Sequence, residues 1–166
     1  LPGWIKVNVD GAASGSPGLS GCGGVFRTCR GFVKGSYYHF IENGCAYEAE
    51  LWAIVKAVQY ATGFQWTNLW IESDSMLAME AFKTKTRTVP WWLLSQWNTC
   101  LRESQVLNIN VTHVFREVNV VADALSKKAI EEGRSMWSFL VPQFCNPFVE
   151  SDMKGEVHTR LCRSSL

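Results

Sequence analysis

The chain has no apolar run near the roughly 18 residues that cross a bilayer, and no charged segment leading into an apolar stretch at its start. These absences exclude a membrane or secretory reading and lead us to expect an intracellular protein of the nucleus or cytoplasm. It also has no CxxC pair and no His at zinc-ligand spacing, which excludes a zinc module. The six Cys (Cys22, Cys29, Cys45, Cys100, Cys145, Cys162) are scattered as reduced thiols would be. Charge is scarce and balanced, 16 basic against 15 acidic residues, so net charge alone indicates no polyanionic partner. No repeat or low-complexity tract divides the chain.

With 47% hydrophobic residues in a length of 166, there is enough apolar surface for one sizeable core and too little chain for two. The chain opens at Leu1 rather than Met, and a strand pattern starts at Trp4, so a piece of a longer protein is expected. From Trp4 to Asp10, Ile5, Val7 and Val9 alternate with Lys6, Asn8 and Asp10, as in a half-buried strand. Gly24–Arg27 and Gly31–Gly35 read as two further strands. Helical spacing then sets in over Ala46–Thr62, stopped by Gly63. A strand at Leu69–Asp74, a helix at Ser75–Phe82 and a helix at Pro90–Glu103 come next. The last elements are a strand at Leu107–Val114 and a helix that Asn119 would cap, running to about Glu132. This order predicts a mixed α/β (α+β) fold over residues 1–132, in which helices flank a five-stranded mixed sheet whose three N-terminal strands are antiparallel. Residues 133–166 read as an irregular tail.

The glycine-crowded stretch after Asp10 invites comparison with a phosphate-cradling loop. The residues beyond it read as strand rather than helix, and GK[ST] is absent, so its glycines are assigned to a hairpin and a bulge. Asp10 raises another question, since Glu50, Asp74 and Asp123 also stand at strand or helix ends. Taken singly, Glu50 and Asp123 need no more than the favourable field near a helix N-terminus, worth roughly 0.3–1 kcal/mol.

Together, "VNVDGA…GCGGVFR", "EAELWAIVKA", "WIESDS" and "THVFREVNVVADALSKKA" resemble the type 1 ribonuclease H family in order and spacing. The likeness is to plant ribonuclease H-like domains, as at the ends of non-LTR retrotransposon reverse transcriptases, and it covers Trp4 to Ile130. It implies the ribonuclease H-like fold and a catalytic, metal-binding set of Asp10, Glu50, Asp74 and Asp123. Glu48 is a rival for the second place, but the family's Glu-Leu-x-Ala step falls on Glu50, Leu51 and Ala53. Four gathered carboxylates repel and raise one another's pKa, so cations must neutralise them. All-oxygen ligation favours two Mg²⁺, or Mn²⁺, over zinc. By analogy, Asp10 would bridge both ions, Asp123 would hold the ion that activates water, and Glu50 with Asp74 would hold the other.

The activity implied is endonucleolytic hydrolysis of the RNA strand of an RNA–DNA hybrid, leaving 5′-phosphate and 3′-hydroxyl ends. With the four acids set aside, 16 basic residues face 11 acidic ones, which suits a nucleic-acid backbone. The expected nucleic-acid contacts are Gly11, Ala12, Ala46, Tyr47, Ser75 and Asn119 near the acids, with Lys83, Lys85 and Arg87 of "KTKTR" and Lys127-Lys128 on phosphates. A reverse transcriptase domain in the same parent polypeptide is a further expected partner, and the chain is expected to be monomeric.

The pattern departs from relatives in places. Where bacterial members carry a His before the last Asp, "FREVN" offers Arg116, taken here as a catalytic residue; His113 falls within a strand and reads as structural. Cys45, Ala46 and Tyr47 replace the Asn-type groups that read the RNA 2′-hydroxyl, and an extended basic handle is absent. Trp66, Trp70, Trp91, Trp92 and Trp97 read mostly as core. The competing reading is a catalytically inactive module that binds nucleic acid or a reverse transcriptase partner. A related four-acid exonuclease is disfavoured, because Ala12 stands where it would carry an acid.

Overall fold

Small residues conceal the true length of the first strand. In the computed structural model, which describes residues 2–153, β1 spans Ile5–Gly15 and β2 spans Gly18–Thr28, paired antiparallel without a break from Ile5↔Thr28 to Gly15↔Gly18. Alternation is legible only as far as Asp10, because Gly11, Ala12, Ala13 and Ser14 carry too little apolar surface to show a period. The glycine-crowded stretch is therefore a long hairpin. β3 is likewise longer than expected, Val33–Gly44, and pairs with β2 through register shifts near both ends.

Helix α1 (Ala46–Gly63) comes next, then β4 (Asn68–Ser73), α2 (Met76–Lys83), α3 (Trp91–Glu103), β5 (Asn108–His113) and α4 (Val120–Glu132). Gly133 ends α4 in the left-handed conformation, φ 61°, where a side chain would be strained. Beyond it the aperiodic segment is not irregular throughout. Met136–Ser138 forms β6, antiparallel to β3, and Asn146–Met153 forms α5, so the sheet has six strands in the order β5-β4-β1-β2-β3-β6. β6 escapes a periodicity reading because three residues cannot display a period. Residues 154–166 of the expected tail, with Cys162, lie outside the described residues. The other five cysteines are free thiols, as expected.

Helices cover both faces of the sheet. On one, Val7, Val9 and Phe26 pack with Leu51, Ile54 and Val58 of α1 and with Leu93 and Trp97 of α3. On the other, Val25 and Tyr38 pack with Val121 and Leu125 of α4. Gly23 permits the second packing, since a Cβ there would lie 2.8 Å from the Ser126 backbone nitrogen. Gly23→Ala is expected to destabilise the fold by about 1–3 kcal/mol through overpacking, measurable as a lower urea midpoint; an unchanged midpoint would show that α4 shifts freely.

Trp97 is fully buried, as expected of a core residue, but Trp91 and Trp92 are 81% and 52% exposed. Both lie in the first turn of α3, ahead of the Leu93–Trp97–Cys100 stripe that faces the core. Among the described residues, no helix is long and apolar enough to cross a membrane.

Candidate active site

β4 stops at Ser73, opposite Val9, while β1 runs on, so the flank of β1 opens at Asp10. Glu50 enters this opening from the start of α1, and Asp74 from the residue after β4. Carboxylate oxygens of Asp10, Glu50 and Asp74 lie within 4.8 Å of one another. The close approach of α1 depends on Gly11: a Cβ there would collide with the backbone of Ala49 and Glu50. The Gly11 N–H instead donates to the Glu50 carboxylate.

Two nearby acids are held elsewhere. Glu48 accepts the Cys45 backbone N–H at 3.2 Å and closes the first turn of α1. Glu72 accepts from Asn8 Nδ2 at 2.9 Å and pairs with Lys6 Nζ at 3.2 Å. Glu50 thus joins the group and Glu48 does not.

Burial governs the electrostatics, with Asp10 and Glu50 only 5% and 9% exposed. Asp10 is pushed up to about 10, by desolvation first and then by the charges of Glu50 and Asp74. Desolvation also raises Glu50, to about 7, against the opposing effect of a hydrogen bond from Asp10. Without a cation, the pair therefore retains a shared proton. Glu50 Oε2 and Asp74 Oδ1 are buried and accept no hydrogen bond among the described residues. Anionic oxygens left unsatisfied at this depth, beside a third carboxylate, fit a hard divalent cation.

Arg116 Nε donates to Asp74 Oδ2 at 3.2 Å, with 84% of its side chain in solvent. Asp123 lies outside the 4.8 Å group. Its Oδ2 pairs with Lys127 Nζ at 2.7 Å, yet its charge contributes to raising Asp10. Lys127 is thereby engaged, and Lys128 pairs with Glu131 and Glu132.

Of the expected nucleic-acid contacts, Gly11 and Ala12 are half-buried beside the carboxylates and Ala46 is exposed on α1. Tyr47 packs partly against the core. Ser75 caps α2, its Oγ accepting the Ala78 N–H at 3.3 Å. Lys83, the last residue of α2, is exposed, as are Lys85 and Arg87 beyond it, and the two lysines line a groove along β5 rather than the carboxylate group. His113 is exposed on β5 with its ring 5.8 Å from that of Phe115.

Asn119 has a different role from the one expected. Buried to 2% exposure, it makes no side-chain cap; its Nδ2 donates to the Val9 carbonyl at 2.9 Å, tying the start of α4 to β1 one residue before Asp10. Sequence places Asn119 at the helix start but gives no direction for its side chain. Asn119→Ala leaves a buried carbonyl unpaired and is expected to cost about 1–3 kcal/mol, seen as a lower melting temperature with no change in overall secondary structure.

A profile of proteins described as reverse transcriptase-like matches residues 8–129. The chain belongs to that family. Within it, the chain is 32% identical over 163 residues to an Arabidopsis thaliana protein named as a putative ribonuclease H protein, matching 97% of this chain and 26% of the relative. It thus spans about a quarter of that relative's length. Among solved structures, ribonuclease H1 of Halobacterium salinarum aligns with a TM-score of 0.70 at 24% identity, covering 78% of this chain and 98% of the other. LC11 ribonuclease H1 from compost, solved with an RNA/DNA hybrid, aligns with a TM-score of 0.69 at 23% identity over 78% and 98% of the two chains. The fold of this family member is that of a ribonuclease H-like domain, and the resemblance drawn from the four motifs holds.

Proposed function

We propose that the chain is a metal-dependent endonuclease that hydrolyses the RNA strand of RNA–DNA hybrids, leaving 5′-phosphate and 3′-hydroxyl ends. The observation that carries this reading is the group of buried carboxylates with two unsatisfied oxygens. Asp10, Glu50 and Asp74, with Asp123 from α4, would hold two Mg²⁺ or Mn²⁺. Bound divalent ions of this kind supply an activated water and Lewis acidity toward a phosphoryl oxygen.

The chain's own residues define the rest. Asp10, on a strand paired on both flanks up to Val9, gives the site its rigid member. Arg116 fixes one oxygen of Asp74 and leaves the other directed to the site, while its exposed side chain supplies positive charge where a scissile phosphate would lie. Gly11 lets α1 bring Glu50 to Asp10, and Gly11, Ala12, Ala46 and Tyr47 would flank a nucleic-acid backbone at the carboxylates. The named function of the Arabidopsis relative and the hybrid held by the compost enzyme support the same substrate. A reverse transcriptase domain in the parent polypeptide is the partner this family suggests.

The test is incubation of the chain with labelled RNA–DNA hybrid, double-stranded RNA and double-stranded DNA in Mg²⁺, Mn²⁺ or EDTA. Cutting confined to the hybrid and abolished by EDTA is expected. A folded chain that cuts nothing in either metal would move the reading to an inactive binding module.

A further inference from the structure

Among the described residues β5 is an edge strand, paired on one side only. Asn108 donates its N–H to Thr67 and Val114 to Ser73, so the N–H and C=O groups of alternate residues, Ile109, Val111 and His113, point away from the sheet. None of these outward N–H groups has a partner among the described residues. Along this side runs a groove of about 490 Å³. Its floor is apolar, formed by the half-buried side chains of Leu107, Ile109 and Val111. The opposite bank is the end of α2, where Phe82 leads into Lys83 and Lys85. Neither lysine has an ion pair among the described residues, and no acidic side chain lines the groove.

We propose that this groove binds an extended acidic peptide segment of another protein, which adds as a strand to β5. Free backbone groups supply the ladder, the apolar floor receives alternate side chains, and the two lysines select acidic residues on the face turned into the groove. From Leu107 to Val111 the floor is about 13 Å long at roughly 3.3 Å per residue, enough for a short strand. The same lysines read as phosphate contacts in the sequence, but a nucleic-acid backbone would leave the apolar floor of Leu107, Ile109 and Val111 unfilled, whereas the side chains of a peptide strand fill it.

The test uses a blocked synthetic peptide, Ile-Thr-Glu-Thr-Ile-Thr-Glu, which presents Ile and Glu on one face, with its binding followed by fluorescence anisotropy and by amide hydrogen exchange. Expected are slowed exchange at Ile109, Val111 and His113, and an affinity about tenfold weaker in K83E/K85E, whose substitutions are exposed. An N-methylated copy of the peptide, unable to complete the ladder, is expected not to bind. No binding of the parent peptide, binding without protection of β5, or undiminished binding of the N-methylated copy would overturn the proposal. So would an RNA–DNA hybrid that protects the groove residues and displaces the peptide.

Discussion

Asp10→Asn is expected to reduce cleavage of a labelled RNA–DNA hybrid by at least about 10³-fold, roughly 4 kcal/mol of transition-state stabilisation, while leaving the fold intact. Asp10 is the most buried of the three gathered carboxylates and the one whose charge burial opposes most strongly. An amide keeps its shape and removes an anionic oxygen, so binding of hybrid should survive while cutting does not. In metal-free buffer near pH 8, the variant should melt above the parent, because the parent must take up a proton at Asp10 on folding and a neutral amide need not. Retained cleavage would remove Asp10 from the chemistry. A lower melting temperature would show that its carboxyl group is structural.

A second large effect links pH to metal. Asp10 is raised from 3.8 to about 10 and Glu50 from 4.5 to about 7 on folding, so the folded metal-free protein binds protons that the unfolded chain releases. Stability from these groups is fully present below their unfolded values and is lost as pH rises through the folded ones. His39 acts in the opposite sense below its unfolded 6.5, because burial lowers it to about 4. Buried thiols begin to contribute only near their unfolded value of 9. Between about pH 6.5 and 8.5 the carboxylate pair should therefore dominate, and the melting temperature in EDTA should fall across that interval. Saturating Mg²⁺ should restore it, by about 2.7 kcal/mol at a hundredfold excess over Kd, with the larger rise at the higher pH. Calorimetry of the parent beside Asp10→Asn isolates the effect. A parent profile that is flat and indifferent to Mg²⁺ would sink the cation assignment.

Legibility of the fold tracked side-chain size. α1 could be read almost to its ends because Leu51, Ile54, Val55 and Val58 keep a helical period and Gly63 closes it. The second half of β1 could not, since its side chains are nearly absent, and β3 was cut short at Gly35 although Tyr37 and Tyr38 continue it. At the site, the carboxylates that meet were legible as a motif, and the separation of Glu50 from Glu48 came from the Leu51 and Ala53 beside it. The direction of a side chain was not legible. Asn119 turns into the sheet because the carbonyl it meets, Val9, belongs to a distant segment; Asp123 turns to Lys127 one turn along its own helix, and Trp91 turns to solvent.

The short strand β6 has a consequence for how the chain emerges during synthesis. It pairs Met136 with Tyr38 and Ser138 with Ser36, across about a hundred residues of sequence. At a translation rate of roughly 5–20 residues per second, the outer edge of β3 waits about 5–20 s after it is made for its partner to appear. Over that interval the nascent sheet exposes a row of unpaired backbone groups, the surface on which chains adhere to one another. The ribosome thus delivers the β3 edge of this sheet open, and β6, the last strand among the described residues, closes it.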